Sequence, residues 1–357
     1  GRSLHLQYPD LQPTLIDLSQ SVSAQDLATL VQEVLADRRG QHQVALRSSG
    51  RYGAQILQEP APPASLHPLR FRSDASYLIT GGLGGLGLAL ADWLIEQGAQ
   101  TLVLAARSEP SERASQAIAK LQARGAHILV LRVDVADAAA VANMMQTVAA
   151  TLPPLRGIIH TAGVPPTAIE TTSESLLDVT APKVRGGWNL HEATRNLELD
   201  FFVLYSSASA LLGVLGGAGY AVGNAFLDAL AHHRRALGLP ATSVQWGVFG
   251  DAGMHVNVKG VTGSFGALDP IFPREVHPLL AQLLAAERTA VGVMRLSVQR
   301  HIQLFPHLQQ RFFWSALLFL QRQLEPSELP KSAAPHSTAS PDLRARQGKH
   351  PQHPADR

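Results

Sequence analysis

The sequence predicts a doubly wound α/β domain, in which helices cover both faces of a parallel sheet. Between residues 76 and 296, short runs rich in apolar and β-branched residues alternate with helical stretches. The runs are almost continuously apolar, which is typical of strands buried on both faces and paired in parallel through helical crossovers. The runs are residues 76–80, 101–107, 127–135, 156–160, 201–206, 241–246 and 290–296, and the clearest helices are residues 87–98, 111–125 and 220–238.

A smaller unit precedes this domain. Residues 14–18 (TLIDL) predict a strand, residues 23–38 predict a helix capped by Ser23, and residues 43–57 predict a hairpin. One helix and about three strands bury too little surface for an independent core. We therefore expect residues 1–61 to be the C-terminal part of a subdomain whose earlier part is missing.

Two segments without apolar periodicity flank the main domain, which spans residues 76–323. Residues 62–75 belong to a proline-rich stretch and are assigned to a linker. Residues 324–357 are rich in Pro, Ser, Ala, Arg and His, a composition typical of disordered linkers. We prefer disorder to a metal site for this tail, although it also holds His336, His350 and His353.

Composition excludes several classes of function. Hydrophobic residues make up 45% of the chain, and the formal net charge is only +2, with the basic residues scattered, so we expect no nucleic-acid partner. Cysteine is absent, which excludes disulfides, thiolate metal sites and a cysteine nucleophile, and we expect no metal. The first residues resemble no signal peptide, and no apolar run reaches membrane-spanning length. We expect a cytoplasmic protein without a membrane partner.

A glycine-rich corner follows the first strand of the main domain. Glycines there permit a tight turn and close backbone approach to a pyrophosphate, while the following helix N-terminus attracts its charge. A merely structural turn would also need glycine, but the order of strand, glycine run and helix favours a dinucleotide. The residues assigned to the cofactor at this corner are Thr80, Gly81, Leu83, Gly84, Gly85, Leu86 and Gly87.

Two further positions indicate which dinucleotide binds. Arg107 ends the second strand, 20 residues after Gly87, at the place where an acidic residue would bind the ribose hydroxyls of NAD. An arginine suits the extra 2′-phosphate of NADP, although Arg107 could also be an ordinary surface residue. Asp134 and Val135 close the third strand, where a carboxylate can accept a hydrogen bond from the adenine amino group. NADPH is therefore the expected cofactor.

The candidate catalytic residues lie around the fifth predicted strand. Ser207 stands at its carboxyl end, the edge where ligands bind in such sheets. Tyr220 follows 13 residues later, near the start of a helix, and Asn224 lies one turn further on the same face. Either Ser207 or Tyr220 alone would be taken for an ordinary strand or helix residue. Together with the glycine corner they indicate a reductase.

These motifs resemble the short-chain dehydrogenase/reductase family, whose fold is a Rossmann-type doubly wound sheet. Most free-standing members have Lys four residues after the tyrosine, where this chain has Asn224. The segment around Lys183, 24 residues before Ser207, resembles the lysine segment of the ketoreductase domains of modular polyketide synthases, in which Lys and Asn exchange positions. Residues 160–164 (HTAGV) also match that family and add Ala162 and Gly163 to the expected cofactor site.

The resemblance implies a role for each catalytic residue. Tyr220 would donate the proton to the alkoxide that hydride transfer creates, and Ser207 would donate a hydrogen bond to the substrate carbonyl oxygen. The Lys183 ammonium would lower the pKa of Tyr220 and hold the nicotinamide ribose, so Lys183 and Tyr220 also count as cofactor-binding residues. Asn224 would position Lys183 or a water molecule. Residues 1–61 would end a truncated Rossmann-like structural subdomain.

The resemblance also implies the substrate. The chain would reduce a β-ketoacyl thioester on an acyl carrier protein to a β-hydroxyacyl thioester, beside neighbouring synthase domains, and the tail would lead toward the carrier protein. One alternative is a free-standing reductase of acyl-CoA or small ketones. Another is a reductase relic that serves as a scaffold without catalysis.

The sequence lacks both of the family's usual markers of product stereochemistry. Family members that form the D-hydroxy product usually carry Leu-Asp-Asp shortly after the HxAGV segment, but residues 164–169 (VPPTAI) contain no Asp. Members that form the L product usually have Trp eight residues before the tyrosine, where this chain has Leu212. We expect the L-hydroxy (A-type) product, with Leu212 forming a wall of the substrate site.

Overall fold

A computed structural model describes residues 1–19, 21–36, 40–60, 70–164, 172–250 and 266–324. The strands in these ranges are β1 Leu15–Asp17, β2 Gln43–Arg47, β3 Gly50–Gly53, β4 Ser76–Thr80, β5 Thr101–Ala106, β6 His127–Arg132, β7 Leu155–His160, β8 Phe201–Ser207, β9 Thr242–Trp246, β10 Leu268–Asp269, β11 Ala290–Val293 and β12 Arg295–Leu296. The α-helices are α1 Arg2–Gln7, α2 Ala24–Leu35, α3 Gly85–Glu96, α4 Glu112–Ala123, α5 Ala138–Thr151, α6 Ser173–Thr194, α7 Ala208–Leu212, α8 Ala218–Ala236, α9 Pro273–Ala285, α10 Val298–Leu304 and α11 Ser315–Leu324.

The main sheet is parallel throughout, in the order β6-β5-β4-β7-β8-β9-β11. The chain winds outward from β4 through β5 to β6, returns to place β7 on the other side of β4, and then winds outward again. This reversal confirms the predicted doubly wound fold. It opens a crevice at the carboxyl ends of β4 and β7, where such sheets bind ligands.

Side chains of the main sheet form two cores, one on each face. Along β4, Tyr77 and Ile79 join one cluster and Leu78 joins the other, as the two-residue period of a strand requires. Every residue of β4 and β8 is buried. Burial on both faces explains why these strands are apolar at successive positions instead of alternating with polar residues.

Two predicted strands differ from those observed. The run 290–296 is divided: β11 pairs with β9 in the main sheet, whereas β12 pairs antiparallel with β10 in a separate sheet. The break falls at Met294, whose Cβ would lie 2.9 Å from a Cβ added to Gly247. The predicted third strand, residues 127–135, ends at Arg132, because the Asp134 carboxylate accepts the Ala136 amide at 2.9 Å and turns the chain.

The N-terminal unit has the predicted hairpin, β2 with β3, and β1 pairs in parallel with β2. Helix α1 was not predicted, because six residues without a side-chain cap give no readable period. It packs against the segment after β8: Arg2 donates to the Ala210 carbonyl at 2.8 Å and the Ser3 hydroxyl accepts the Val214 amide at 3.2 Å. The N-terminal unit therefore contacts the main domain directly.

No helix in the described part of the chain is both long and apolar enough to cross a bilayer.

Buried neutral histidines make the fold sensitive to acid. Burial lowers the pKa of His5 to about 4, of His160 to about 3 and of His301 to about 4. In the unfolded chain each histidine binds a proton near pH 6.5, so stability is complete above that pH and is lost as the pH falls toward 4. Each group can weaken folding by up to about 1.4 kcal/mol per pH unit in that window.

We expect the free energy of unfolding, measured by urea denaturation, to fall steadily between pH 7 and pH 5. The variant His301→Phe keeps an aromatic ring in contact with Phe305 and Trp314 but removes one titrating group. Its pH dependence should be shallower than that of the wild type. A free energy of unfolding that does not change over this range would contradict the analysis.

Candidate active site

Two glycines in the corner between β4 and α3 leave no room for a side chain. Gly81 adopts a φ of +68°, which side chains rarely tolerate, and a Cβ on it would lie 2.8 Å from Thr161 Oγ1. A Cβ on Gly87 would lie 2.5 Å from the Gly81 carbonyl oxygen and 2.6 Å from Gly82 Cα. Helix α3 begins at Gly85 without a side-chain cap, which leaves its first amides available to an anion.

A cavity of about 410 Å³ opens at this corner. The turn after β7 closes one side of it and the ends of β5 and β6 close another. Of the residues predicted to bind the cofactor, the cavity wall includes Gly81, Leu83, Gly84, Gly85, Leu86, Gly87, Arg107, Asp134, Val135, Ala162 and Gly163. Thr80 instead lies behind the wall, where its hydroxyl is 2.7 Å from His160 Nδ1.

One arginine lines the cavity where β5 ends, close to Glu109. Arg107 follows β5 directly and is exposed, and its carbonyl oxygen accepts Arg132 Nε at 3.1 Å. Arg132, the last residue of β6, is a second cation that sequence reasoning missed, because the predicted third strand ran past it. The glycine corner and the helix N-terminus beside it fit a dinucleotide cofactor.

The four candidate catalytic residues come together beside this cavity. Lys183 lies in the middle of α6, next to Pro182 in the cavity wall, Ser207 ends β8, and Tyr220 and Asn224 lie in the first two turns of α8. They are 3%, 6%, 5% and 0% exposed, respectively. The Lys183 ammonium lies 5.9 Å from the centre of the Tyr220 ring. The sequence separations therefore converge on one buried polar cluster.

Hydrogen bonds fix the orientation of this cluster. The Asn224 amide group donates to the Tyr220 carbonyl at 2.7 Å, one helical turn back. The Ser207 hydroxyl oxygen accepts the Ser209 amide at 3.1 Å and so caps α7. Its own proton remains available to Tyr220, with which Ser207 forms a side-chain hydrogen bond. Ser207 is thus held by the backbone while it faces the phenol.

The electrostatics of the cluster differ from the expectation in one respect. Burial raises the pKa of Tyr220, and the hydrogen bonds from Ser207 and Asn224 partly lower it again. Lys183 was expected to lower this pKa, but its ammonium donates to the Tyr205 carbonyl at 2.9 Å. Burial lowers the pKa of Lys183 to about 8. The ammonium is therefore only partly protonated at weakly alkaline pH.

His160 forms a rigid contact behind the cluster. Its Nε2 lies 3.1 Å from the Pro182 carbonyl, which can only accept, so Nε2 holds the proton and Nδ1 accepts from the Thr80 hydroxyl. Burial, followed by the charge of Lys183, lowers the pKa of His160 to about 3. The ring stays neutral and joins β4, β7 and α6.

Sequence reasoning also missed a carboxylate beneath the cluster. Asp228 lies on α8, four residues after Asn224, and accepts hydrogen bonds from Ser243 and Gln245 of β9. The only sequence signal is its spacing from Tyr220 and Asn224 along one helix face. Within the described residues, no group of three or more potential ligands forms a metal site.

The structure does not support two expectations about the substrate side of the site. Leu212 does not line the cofactor cavity; it packs in a separate cluster with Leu6, Phe305 and Trp314. The expectation that it forms a wall of the substrate site finds no support in that position. Residues 165–169 of the stereochemical segment lie outside the described part of the chain.

Comparison with known proteins agrees with this geometry. The KR domain family model matches residues 75–251. The solved structure of an A1-type ketoreductase is 34% identical, with a TM-score of 0.77 over 88% of this chain and 68% of that one. The first ketoreductase of the tylosin polyketide synthase is 33% identical, with a TM-score of 0.77 over 90% of this chain and 70% of that one. This chain belongs to the polyketide synthase ketoreductase family.

Curated relatives of this ketoreductase are much longer proteins. A phenolphthiocerol/phthiocerol polyketide synthase protein of Mycobacterium tuberculosis is 36% identical over 89% of the chain, which spans only 17% of that protein. The phthioceranic/hydroxyphthioceranic acid synthase of Mycobacterium bovis is 44% identical over 51% of the chain and 9% of that synthase. The chain thus corresponds to less than a fifth of the length of these relatives.

The glycine corner yields a test that needs no substrate. We expect Gly87→Ala to lower the free energy of unfolding by about 1–3 kcal/mol, because its Cβ would press on backbone atoms that cannot move aside. Gly84→Ala is the matched control, since its Cβ would meet only the Gly81 carbonyl oxygen, at 3.3 Å. Thermal and urea denaturation without cofactor compare the two variants. Equal stability of Gly87→Ala and the wild type would contradict the packing.

Proposed function

We propose that this chain reduces a β-ketoacyl thioester, carried on an acyl carrier protein, to a β-hydroxyacyl thioester with NADPH as reductant. Members of its family are oxidoreductases that reduce β-keto groups. The observation that carries the proposal is the buried cluster of Lys183, Ser207, Tyr220 and Asn224 beside the glycine-lined cavity. Isolated polar residues are costly to bury, and their convergence at a ligand-binding edge favours chemistry over structure.

Two residues of the cluster act on the reacting carbonyl, and the other two support them. Bound NADPH would supply the hydride. The Ser207 hydroxyl donates a hydrogen bond to the carbonyl oxygen as negative charge develops there, and Tyr220 transfers its phenolic proton to that oxygen. Asn224 fixes the helical turn that presents Tyr220, and the Lys183 ammonium keeps positive charge close to the oxygen and the ribose.

Residues around the cavity would hold the cofactor. The amides at the start of α3 and the glycine corner approach the pyrophosphate, Arg107 binds the 2′-phosphate, and Asp134 and Val135 contact the adenine. Ala162 and Gly163 line the cavity at the turn after β7, where they would contact the cofactor. Gly81 and Gly87 support this assignment, because a Cβ at either would clash with neighbouring protein atoms, so the tight turn at the cavity wall requires glycine at both positions.

The partners are proposed from the relatives. Those proteins are polyketide synthases of which the chain spans a small part, which supports an acyl carrier protein and adjoining synthase domains as partners. With this goes the proposed division into a structural unit (residues 1–61), a linker (62–75), the catalytic domain (76–323) and a terminal linker (324–357). A cytoplasmic location stays a prediction.

A substrate panel separates this proposal from its alternatives. NADPH oxidation should be fastest with β-ketoacyl groups on a carrier protein, slower with the same groups on short thioesters, and slowest with simple ketones. A preference for acyl-CoA or small ketones would favour a free-standing reductase. No oxidation with any substrate, by a folded protein that binds NADPH, would favour a scaffold.

Tyr220→Phe tests the proton donor. We expect turnover to fall by about 100-fold or more, because the lost proton is needed chiefly in the transition state, while NADPH affinity stays within a few-fold. The matched control is Tyr52→Phe on the exposed strand β3, which should behave like the wild type. Steady-state kinetics and cofactor fluorescence give the two values. Near-normal turnover of Tyr220→Phe would remove Tyr220 from the mechanism.

Arg107 tests the cofactor choice. Arg107→Ala should cost about 1.5–3 kcal/mol of NADPH binding, or roughly ten- to hundredfold in KM, because a charge-assisted contact to the 2′-phosphate is lost. NADH kinetics should change little. Arg113→Ala, an exposed arginine on α4, is the control. The proposal of NADPH fails if the wild type uses NADPH and NADH equally well.

We propose the L-hydroxy (A-type) product, and this finer assignment rests on residues 164–169, where the acidic motif of D-forming members is absent. The position of Leu212 adds nothing to it. Solved ketoreductases described as A-type and A1-type are 35% and 34% identical to the chain. Chiral chromatography of the hydroxyacyl product from a simple β-ketothioester should give mainly the L form; a mainly D product would overturn the assignment.

A further inference from the structure

A line of polar side chains continues from the active site into the protein along α8. Tyr220, Asn224 and Asp228 are spaced by four residues and share one helix face. Tyr220 and Asn224 belong to the catalytic cluster, whereas the partly buried Asp228 points toward the sheet. The Asp228 carboxylate is therefore placed under the reacting groups and contacts none of the cavity.

The sheet beneath Asp228 is polar where a core would be apolar. Ser243 Oγ and Gln245 Nε2 of β9 donate to the carboxylate at 2.6 and 2.7 Å, and the Ser206 hydroxyl of β8, which donates to the Asn224 carbonyl at 3.1 Å, also lowers the pKa of Asp228. Ser206 is the cross-strand neighbour of Gln245, and all three side chains are buried. Burial raises the pKa of Asp228. The hydrogen-bond donors around it oppose this rise, because a donor such as the nitrogen of the Gln245 amide favours the ionised carboxylate.

Lys183, on the neighbouring helix α6, is the buried cation of the catalytic cluster. Its ammonium donates to a neutral acceptor, the Tyr205 carbonyl. A buried ammonium is expensive without negative charge nearby. The charge of Asp228 favours the protonated form of Lys183, and the charge of Lys183 favours the ionised form of Asp228. A short path through β8 joins the two groups: Lys183 donates to the Tyr205 carbonyl, and the next residue, Ser206, donates to the Asn224 carbonyl at 3.1 Å, on the helix face that carries Asp228.

Other titratable or charged groups face the same network. His160 from β7 is neutral and only responds to the charge of Lys183. Tyr205 from β8 contributes its carbonyl, and burial keeps its phenol neutral by raising the pKa. Arg2 from α1 also feels the charge of Asp228. Among these groups Asp228 is the carboxylate, so the negative charge of the network resides there.

We propose that Asp228 is a positioning residue, which supplies the counter-charge that keeps the Lys183 ammonium protonated from behind the active site. The inference rests on the proposed function in taking Lys183 as the cation of the cluster. It assigns to the serines and the glutamine of β8 and β9 the task of holding that carboxylate ionised. Asp228 acts through Lys183 and touches neither substrate nor cofactor.

The titration of Lys183 can be measured directly. The chain has five lysines, Lys120, Lys183, Lys259, Lys331 and Lys349, so a protein labelled with ¹³C-lysine gives five ε-carbon signals, of which Lys183→Met identifies one. In the full wild-type chain this signal should titrate near pH 8, well below the ordinary lysine value of about 10.4. In Asp228→Asn the midpoint should fall by about one further pH unit.

Ser243→Ala is the matched control for this titration. It removes one hydrogen bond to Asp228, and the Gln245 amide remains as a donor that keeps the carboxylate ionised. Its Lys183 midpoint should stay within about 0.3 pH unit of the wild type, since charge and not packing sets the effect. A midpoint in Asp228→Asn that equals the wild-type value, or an equal shift in both variants, overturns the inference.

Turnover separates this inference from the proposed function. If Lys183→Met keeps wild-type turnover, the proposed role of Lys183 fails, while the titration still reports whether Asp228 and Lys183 are coupled. If Asp228→Asn alone does not fold, the double variant Asp228→Asn/Lys183→Met decides. Removing both charges leaves neither group unpaired, so the double variant should fold. Failure of the double variant to fold would overturn the counter-charge role.

Discussion

The close packing of α6 against α8 is the constraint on which the active site depends, because it buries the Lys183 ammonium beside Tyr220. A Cβ on Gly223 of α8 would already stand 3.4 Å from the Lys183 side chain, and one on Gly187 of α6 would lie 3.0 Å from Leu227. Glycine at these positions lets the backbone of each helix lie close to a side chain of the other. The same close packing removes water from Lys183 and lowers its pKa. The charge of a nearby carboxylate, Asp228, then favours the protonated form of Lys183.

Local chemistry explains which parts of the fold were predictable. The strands of the main sheet and the glycine corner depend on residues adjacent in sequence, so the pattern of apolar residues and the turn-forming glycines identify them. The run 290–296 was misjudged because its two halves pair with strands of different sheets, which no local pattern records. Helix α1 is too short for a period and owes its position to contacts with α7, which no local pattern records.

The same distinction applies to the site. The convergence of Lys183 with Tyr220 came from resemblance, because spacing in a sequence does not show that α6 and α8 pack together. Asp228 was missed because its partners, Ser206, Ser243 and Gln245, lie on two strands that read as ordinary apolar runs. Leu212 was assigned to the substrate wall because L-forming family members usually have Trp at that position, and its contacts with Leu6 and Trp314 do not support the assignment.

The segment between Ser207 and Tyr220 is held from outside the main sheet. Gly213 has a φ of +85°, and a Cβ on it would lie 3.0 Å from the backbone of Arg2, so α1 sits directly against this turn. Arg2 and Ser3 bind the carbonyl and amide of residues 210 and 214. Because Ser207 caps α7 and Tyr220 lies in the first turn of the next helix, any shift of this segment changes the distance between the two groups that we propose act on one oxygen. The N-terminal unit thereby helps to position the proposed catalytic residues, although it contributes none of them.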